Sequence, residues 1–261
     1  METFLNQERN VELDKRQFIK ALESITIEEI LVVFDEEASN RLVTSLYKTK
    51  ILIMGEMHGV KENPDVIYTL FKKFGFRQLA LEWKSGLGAI AEKYLETGEL
   101  DFDAIQDSPD GRITAGHFAL LKRLKDEGLL EKLICFDGSG EADWNVRDEN
   151  MAKNVLNGLS DSATLVVAGN LHAKVEPITF NDEPVEHNPM GERIKVHIPD
   201  VPSGKIEYLS GQYHNYGPED FFEDSEKEKT GPRFYITEDG LYTFVPPEAH
   251  TAIVPNPSER L

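Results

Sequence analysis

Four acidic or basic side chains in this sequence stand just behind short apolar runs, where a strand would end. They are Glu56, His58, Glu82 and His172. A turn after a strand calls for glycine, asparagine, aspartate or serine, so turn formation alone explains glutamate and histidine poorly. A neutral imidazole can bind a metal or act as a general base, and a neighbouring carboxylate sets its tautomer. The residue types therefore predict either a base–carboxylate pair that activates water or a site in which all four hold one divalent metal.

Both histidines belong to a repeated pattern. Gly-x-x-His occurs at 55–58 and at 169–172, each time after a polar residue and four mostly aliphatic residues. Composition alone predicts about 0.5 chance matches of the bare pattern, and a further match at 211–214 lies in a less convincing setting. Glycine lets the chain turn sharply off a sheet, so the histidine three positions later can point back across the strand ends. The repeat predicts that two imidazoles 114 positions apart converge on one cavity lined with acids.

The elements that would position these residues alternate along the middle of the chain. Strands are predicted at 50–54, 77–81, 132–136 and 163–168, and helices at 63–75, 87–95, 113–126 and 145–159. Such alternation is typical of βαβ units and a parallel sheet. Ligands bind outside the carboxyl ends of the strands in such sheets, so all four candidates would reach the same edge. The expected fold class is α/β, with a mostly parallel central sheet flanked by helices.

The regions on either side of this core differ from it. Residues 1–49 are predicted to be helical, with a long helix over 26–48, whereas 176–261 is rich in strand and turn signals. The latter region includes a predicted hairpin that turns at Asp239–Gly240. We interpret the whole chain as a single α/β domain with a helical N-terminal region, a motif-bearing core at 50–175 and a β-rich C-terminal extension.

Charge narrows the classes of partner. The chain has 28 basic and 47 acidic side chains, a balance of 28 − 47 = −19, which disfavours nucleic acid and anionic membranes. No apolar run approaches the roughly 18 residues that cross a bilayer, and the first residues lack the segments of a secretory signal. We expect a cytoplasmic protein that acts on a small-molecule or peptide substrate. The stretch 219–229 is strongly charged and predicts a solvated loop, and the oligomeric state stays open.

Other polar residues have simpler explanations in the sequence. Asp137 is accounted for by the turn after the third strand, and His117 by a place in a helix among apolar residues. Glu62 follows His58 by one helical turn and is a second-tier candidate, because the next helix is predicted to be capped by Asn63.

In four places the sequence resembles the superfamily that contains TIKI/TraB, ChaN-like and erythromycin-esterase-like proteins. The matching pieces are Gly55-Glu-Met-His-Gly59, Leu79-Ala-Leu-Glu82, Arg147-Asp-Glu-Asn-Met-Ala152 and Val166-Val-Ala-Gly-Asn-Leu-His172. Their order and spacing agree over roughly 50–175, near half of the chain.

The resemblance implies an α/β core with the motif residues clustered at one end of the sheet. Some members are hydrolases, either metal-dependent proteases or esterases that open a macrolide lactone, and others bind haem. Carried over by position, the site residues are Glu56, His58, Glu82, Arg147 and His172. The resemblance thus adds Arg147, which could orient a carboxylate or stabilise a developing oxyanion, with Asp148 and Asn150 in support.

Two functions of different classes follow. The favoured one is a hydrolase of an ester or amide bond, with or without a divalent metal such as Mn, Co or Zn held by Glu56, His58, Glu82 and His172. The alternative is a protein that binds a metal or haem in the same pocket without turnover, haem being the less favoured cofactor.

Overall fold

The computed structural model describes residues 14–106, 108, 110–138, 143–179, 185–220 and 231–255. Within them, a central sheet contains β1 (Val33–Phe34), β2 (Ile51–Glu56), β3 (Gln78–Lys84), β4 (Lys132–Asp137), β5 (Thr164–Gly169), β8 (Ser203–Ile206), β11 (Arg233–Ile236) and β12 (Tyr242–Val245). Two small antiparallel pairs are β6 (Ile178–Thr179) with β7 (Glu186–His187), and β9 (Gln212–His214) with β10 (Pro218–Asp220).

Helices precede or follow most of these strands. They are α1 (14–24 of the described residues), α2 (Glu36–Thr49), α3 (Asn63–Phe74), α4 (Leu87–Thr97), α5 (Ala115–Asp126), α6 (Trp144–Gly158) and α7 (Met190–His197), with a short 3-10 turn at Phe102–Ala104. None of the helices in the described part of the chain is long and apolar enough to cross a membrane.

The strand order across the central sheet is β1-β11-β12-β8-β2-β5-β3-β4. The run from β12 to β4 is parallel throughout, and β11 turns antiparallel to β12. The predicted α/β fold with a mostly parallel sheet is therefore confirmed, and the single-domain interpretation stays a prediction.

The inner strands are buried on both faces. All six residues of β2 and of β5 are buried, and successive side chains alternate between two hydrophobic clusters. Leu52 and Met54 pack with residues of α3 and α5, whereas Ile51 and Ile53 pack with residues of α6 and α7. Helices thus cover both faces, which leaves the carboxyl-end edge of the strands as the place where polar side chains can meet.

Two predicted helix starts are wrong. The helix expected over 26–48 begins only at Glu36, because the Asp35 side chain accepts the Ala38 N–H as an N-cap and the preceding residues form β1. The cap of α3 is Glu62 rather than Asn63. The Asn63 amide is used elsewhere, because it donates to the Met57 carbonyl over 2.8 Å.

The C-terminal extension is part of the central sheet rather than an appendage. β8 pairs with β2, and β12 pairs with β8. The predicted hairpin is confirmed as β11 and β12, with Gly240 at φ 87° in its turn. The region also contains α7, which the strand-rich prediction missed. Of the predicted charged loop at 219–229, all but the first two residues lie outside the described residues.

Candidate active site

Four parallel strands end side by side at one edge of the sheet. In the order β2, β5, β3, β4, they carry Glu56, Gly169, Glu82 and Asp137 at or near their carboxyl ends. Glu56 and Gly169 are register partners, so the two Gly-x-x-His motifs leave neighbouring strands one residue out of step. This arrangement brings residues from distant parts of the sequence to a single edge, as predicted.

The Glu82 carboxylate lies at the centre of the cluster. Its Oε2 accepts the backbone N–H of Gly169 at 2.7 Å, and its Oε1 accepts Nη2 of Arg147 at 2.8 Å. Burial would raise the pKa of Glu82, but electrostatic interactions with His58, His172 and the two neighbouring arginines outweigh burial and lower it to about 2. Glu82 is therefore a fixed negative charge around which the cationic side chains are arranged.

The two predicted histidines lie on either side of this carboxylate. Nε2 of His58 is 3.6 Å from Glu82 Oε2, and Nε2 of His172 is 3.8 Å from Glu82 Oε1. The two imidazoles therefore converge on one site lined by acids, as predicted.

His58 forms a pair with Glu56. Its Nδ1 lies 3.1 Å from Oε1 of Glu56, and its side chain is 19% exposed whereas that of Glu56 is 5% exposed. Burial lowers the pKa of His58, but the hydrogen bond that its ring donates to Glu56 and the charge of Glu82 more than offset burial and raise it above 6.5. The pairing makes His58 a stronger base than a free imidazole, although part of its side chain stays exposed to solvent.

The Arg147 guanidinium ties three groups together. It donates to both oxygens of Asp137 at 3.0 Å, to Glu82, and through Nη1 to Nε2 of His172 at 3.2 Å. Burial lowers its pKa, but the hydrogen bond to Asp137 and the charge of Glu82 raise it above the ordinary arginine value. Of the two roles predicted for Arg147, orienting carboxylates agrees better with a side chain whose donors are already engaged.

The tautomer of His172 follows from its neighbours. A guanidinium can only donate, so Nε2 of His172 must accept from Arg147 and the ring proton must be on Nδ1. Nδ1 then donates to Oδ1 of Asp148 at 2.8 Å, and the backbone N–H of Met190 donates to the same oxygen at 2.7 Å. The Trp144 ring covers His172 with a centroid separation of 5.0 Å. His172 is thus fixed in orientation by Arg147 and by Asp148, of which only Asp148 was predicted in a supporting role.

Arg112 lies in the cluster but was not predicted from the sequence. This residue lies in the loop before α5, with Nε 3.1 Å from Glu82 Oε1 but not aligned for a hydrogen bond, and Nη1 3.2 Å from Oδ2 of Asp110. Its side chain is 28% exposed, twice the value for Arg147. In the sequence, only its place after a glycine turn distinguishes Arg112, and a turn does not indicate a chemical role.

The prediction that Asp137 serves only the turn after its strand is incomplete. A turn accounts for an aspartate at that position, yet its carboxylate binds Arg147 twice and is 4% exposed. Conversely, second-tier Glu62 points away from the cluster. Its carboxylate accepts the backbone N–H of His250 at 2.8 Å and pairs with Nδ1 of the same residue at 2.7 Å.

Distant segments hold the loop that follows His58. The Gly59 N–H donates to the Gly111 carbonyl at 3.0 Å, and the Gly59 carbonyl accepts from the backbone N–H groups of His214 and Ala252 at 3.1 and 2.9 Å. Gly59 has φ 72°, and a Cβ there would lie 2.1 Å from the carbonyl oxygen of His214. Only glycine tolerates both the positive φ and this close approach. The hydrogen bonds of Gly59 therefore make this position a junction of three loops.

The predicted four-residue metal set does not fit this geometry. Both oxygens of Glu82 accept hydrogen bonds, and the lone pair of His172 Nε2 that a metal would need accepts from Arg147. Within the described ranges, no group of three or more His, Cys, Asp or Glu side chains could hold a metal ion. The donor set is therefore arranged around guanidinium groups rather than around a cation-binding cavity.

The protein belongs to the class of α/β folds with a mostly parallel sheet, and its polar cluster lies at the strand ends, where ligands bind in such folds. The fold matches that of a succinoglycan biosynthesis protein with a TM-score of 0.59 and 12% identity, covering 91% of this chain and 98% of that one. It also matches a mutant erythromycin esterase in its open conformation, with a TM-score of 0.53, 14% identity, and coverage of 66% and 74%. At these identities the likeness is one of fold.

The remaining comparisons add little. A structure of bacterial protein toxins also matches, but this chain spans 39% of its length at a TM-score of 0.45, too slight a likeness to support any inference. No family model and no curated protein sequence matches the chain. The match to an erythromycin esterase agrees, at the level of fold, with the superfamily resemblance read from the motifs.

Proposed function

We propose that this protein hydrolyses an ester or amide bond and that His58 is the general base. The observation that carries the proposal is the pair formed by His58 Nδ1 and Glu56 Oε1 at 3.1 Å, beside a ring that is still 19% exposed. A carboxylate on one ring nitrogen fixes the tautomer and leaves the other nitrogen to accept a proton. The fold shared with an erythromycin esterase supports a hydrolase without identifying the substrate.

The proposed chemistry needs no group beyond these side chains and water. Nε2 of His58 takes a proton from water as the water oxygen bonds to the carbonyl carbon, and the carbonyl oxygen takes up the negative charge. The bond from carbon to the leaving oxygen or nitrogen then breaks, and the leaving group receives the proton from the His58 imidazolium. Glu56 stabilises that imidazolium while it exists.

Arg112 is the side chain that we assign to the developing oxyanion. It is the more exposed of the two arginines around Glu82, with 28% of its side chain accessible against 14% for Arg147. Arg147 has its donors committed to Glu82, Asp137 and His172, so its proposed role is to hold these groups in place. A preorganised cation next to the carbonyl oxygen is the usual means of stabilising such a charge.

We further propose that turnover does not depend on a metal held by the four residues named from the sequence. The support for this step is the occupation of Glu82 and of His172 Nε2 by hydrogen-bond donors. Activity should therefore persist after dialysis against EDTA, with added Zn²⁺, Mn²⁺ or Co²⁺ raising it less than twofold. Loss of turnover with EDTA and its recovery with one of these ions would refute this step.

A panel of nitrophenyl esters, lactones and peptide amides tests the main proposal. The wild type should turn over at least one of these classes, and His58→Gln should lower kcat/KM by about 10²–10⁴-fold, the usual contribution of a general base. His197→Gln is the matched control, since His197 is an exposed histidine on α7. Equal activity of the two variants, or a purified protein that binds haem and hydrolyses nothing, would contradict it.

A further inference from the structure

Two polar atoms beside the candidate site are buried without a hydrogen-bond partner among the described residues. They are Oε2 of Glu56 and Nε2 of His117, and the two residues are 4% and 1% exposed. Burying a polar atom without a partner is unfavourable, and such atoms in folded proteins are commonly satisfied by an ordered water molecule. The chemistry proposed above uses the other oxygen of Glu56 and does not use His117, so it leaves both atoms unexplained.

The two atoms belong to one neighbourhood. Burial lowers the pKa of His117, and the charges of Glu56 and His58 also act on it, so both groups lie within electrostatic reach of the ring. Among the described residues, however, no Glu56–His117 contact lies within the 4.0 Å of an ion pair. Alternation along β2 places the Glu56 side chain on the same face of the sheet as Leu52 and Met54, and α5, which carries His117, covers that face. One water in this layer would give both buried atoms a partner.

Thr114 contacts both the backbone and the ring of His117. Thr114 is the N-cap of α5, and its hydroxyl oxygen accepts the backbone N–H of His117 at 3.2 Å and lies 3.0 Å from Nδ1 of the same residue. The hydroxyl can still donate its own proton to Nδ1, and we assign this tautomer, in which the ring proton is on Nε2. Nε2 is then a donor, and the atom that lacks a partner across the gap is a carboxylate oxygen.

We propose that one buried water molecule links Nε2 of His117 to Oε2 of Glu56, and that His117 is a positioning residue for Glu56. The water accepts from Nε2–H and donates to Oε2, which holds Oε1 against Nδ1 of His58. The His117 ring is itself fixed by Thr114 and by an edge-on contact with Trp83, with a centroid separation of 6.0 Å. The effect of His117 on a general base rests on the proposed function, whereas the buried water and the positioning of Glu56 do not. We call this water-mediated link between His117 and Glu56 the tether.

The first test is the water itself. A crystal structure of the unmodified chain, at a resolution that shows ordered solvent, should contain a water within hydrogen-bond distance of both atoms. A dry gap there, or a direct bond between Glu56 and His117, would overturn the proposal.

The second test measures the effect on His58 in solution by ¹⁵N-histidine NMR. His117→Phe keeps an aromatic ring, of somewhat larger size, and removes both nitrogens, so Glu56 should swing away and the pKa of His58 should fall toward 6.5. His117→Gln supplies an amide donor and should restore the wild-type value. Phe118→Leu is the control, because Phe118 is the next residue of α5 and also packs on Trp83 without offering a polar atom.

Three other groups act on the His58 ring in these titrations and stay unchanged in every variant. They are Glu56 from β2, Glu82 from β3 and Arg112 from the loop before α5. A folded His117→Phe protein with the wild-type His58 pKa would overturn the tether, as would an equal fall in Phe118→Leu.

The two proposals can fail separately. If the water and the pKa shift are found but no substrate is hydrolysed, the tether stands and the hydrolase proposal falls. If hydrolysis depends on His58 but the His58 pKa is unchanged in His117→Phe, the hydrolase proposal stands and the tether falls.

Discussion

Gly169 leaves no room for a side chain next to His58. A Cβ at this position would lie 2.9 Å from Nε2 of His58 and 3.5 Å from Oε2 of Glu82, while the backbone N–H of the same residue donates to Glu82 at 2.7 Å. The second Gly-x-x-His motif therefore supplies more than a histidine, because its glycine shapes the space around the histidine of the first motif.

This contact predicts the effect of a single methyl group. Gly169→Ala should push the His58 ring away from its position, and a displacement near 1 Å costs about 10²-fold in catalysis. We expect that loss in kcat/KM with the far-ultraviolet circular dichroism unchanged. The control is Gly231→Ala, where an added Cβ meets nothing within 4 Å. Full activity of Gly169→Ala would show that this edge of His58 is not where water reacts.

Glu82 should make the protein sensitive to acid. Its pKa is about 2 in the folded protein against an ordinary 4.5, so its contribution is fully present above pH 4.5 and is lost as the pH falls toward 2. At roughly 1.4 kcal/mol per pKa unit the contribution is on the order of 3 kcal/mol. Urea unfolding of Glu82→Gln should show that deficit at pH 7 and a smaller one at pH 3.5. Exposed Glu96→Gln should show none, and a gap that is constant with pH would contradict the assignment.

Glu56 should set the acid limb of the rate profile. Its hydrogen bond raises the pKa of His58, and a general base works only when it is unprotonated. Glu56→Gln removes the negative charge that stabilises the imidazolium, so the pKa falls and the acid limb of kcat/KM moves to lower pH. The maximal rate should fall as well, because a weaker base accepts the proton less readily. A profile from pH 5 to 9 that keeps its midpoint would argue against the Glu56–His58 pair as the base.

Removing Arg147 should lower the free energy of unfolding strongly, because this side chain neutralises two buried carboxylates. Replacing it by Met leaves Glu82 and Asp137 buried without their shared cation, and breaking such a buried pair costs about 3–5 kcal/mol. Adding Asp137→Asn to Arg147→Met should recover part of the loss, because one uncompensated charge is then removed. Chemical unfolding of the two single variants and the double variant measures the coupling. Strict additivity would show that Asp137 and Arg147 do not depend on each other.

The convergence of Glu56, His58, Glu82 and His172 was predictable because each follows a strand whose apolar run is plain in the sequence. Parallel strands present their carboxyl ends at one edge, so the order of elements was enough. Arg112 was not predictable, since it reaches the site from a loop whose path depends on contacts between Gly59 and Gly111.

Other errors arose where one residue type serves two purposes. Asp137 suits a turn as well as an ion pair, and only its neighbours decide which applies. The apolar spacing over 26–48 suits a helix, but Asp35 caps a later start and the hairpin strand β11 provides a pairing partner for β1. Tertiary contacts of this kind override local preference and are absent from the local pattern.

The junction at Gly59 has a consequence for how the protein is made. The hydrogen bond from Ala252 to Gly59 fastens the loop after His58 to a segment almost two hundred positions later in the chain. During synthesis the loop after His58 therefore lacks this hydrogen bond until that late segment has emerged from the ribosome and docked. A nascent chain would hold every residue of both motifs well before this contact could fix the loop in place.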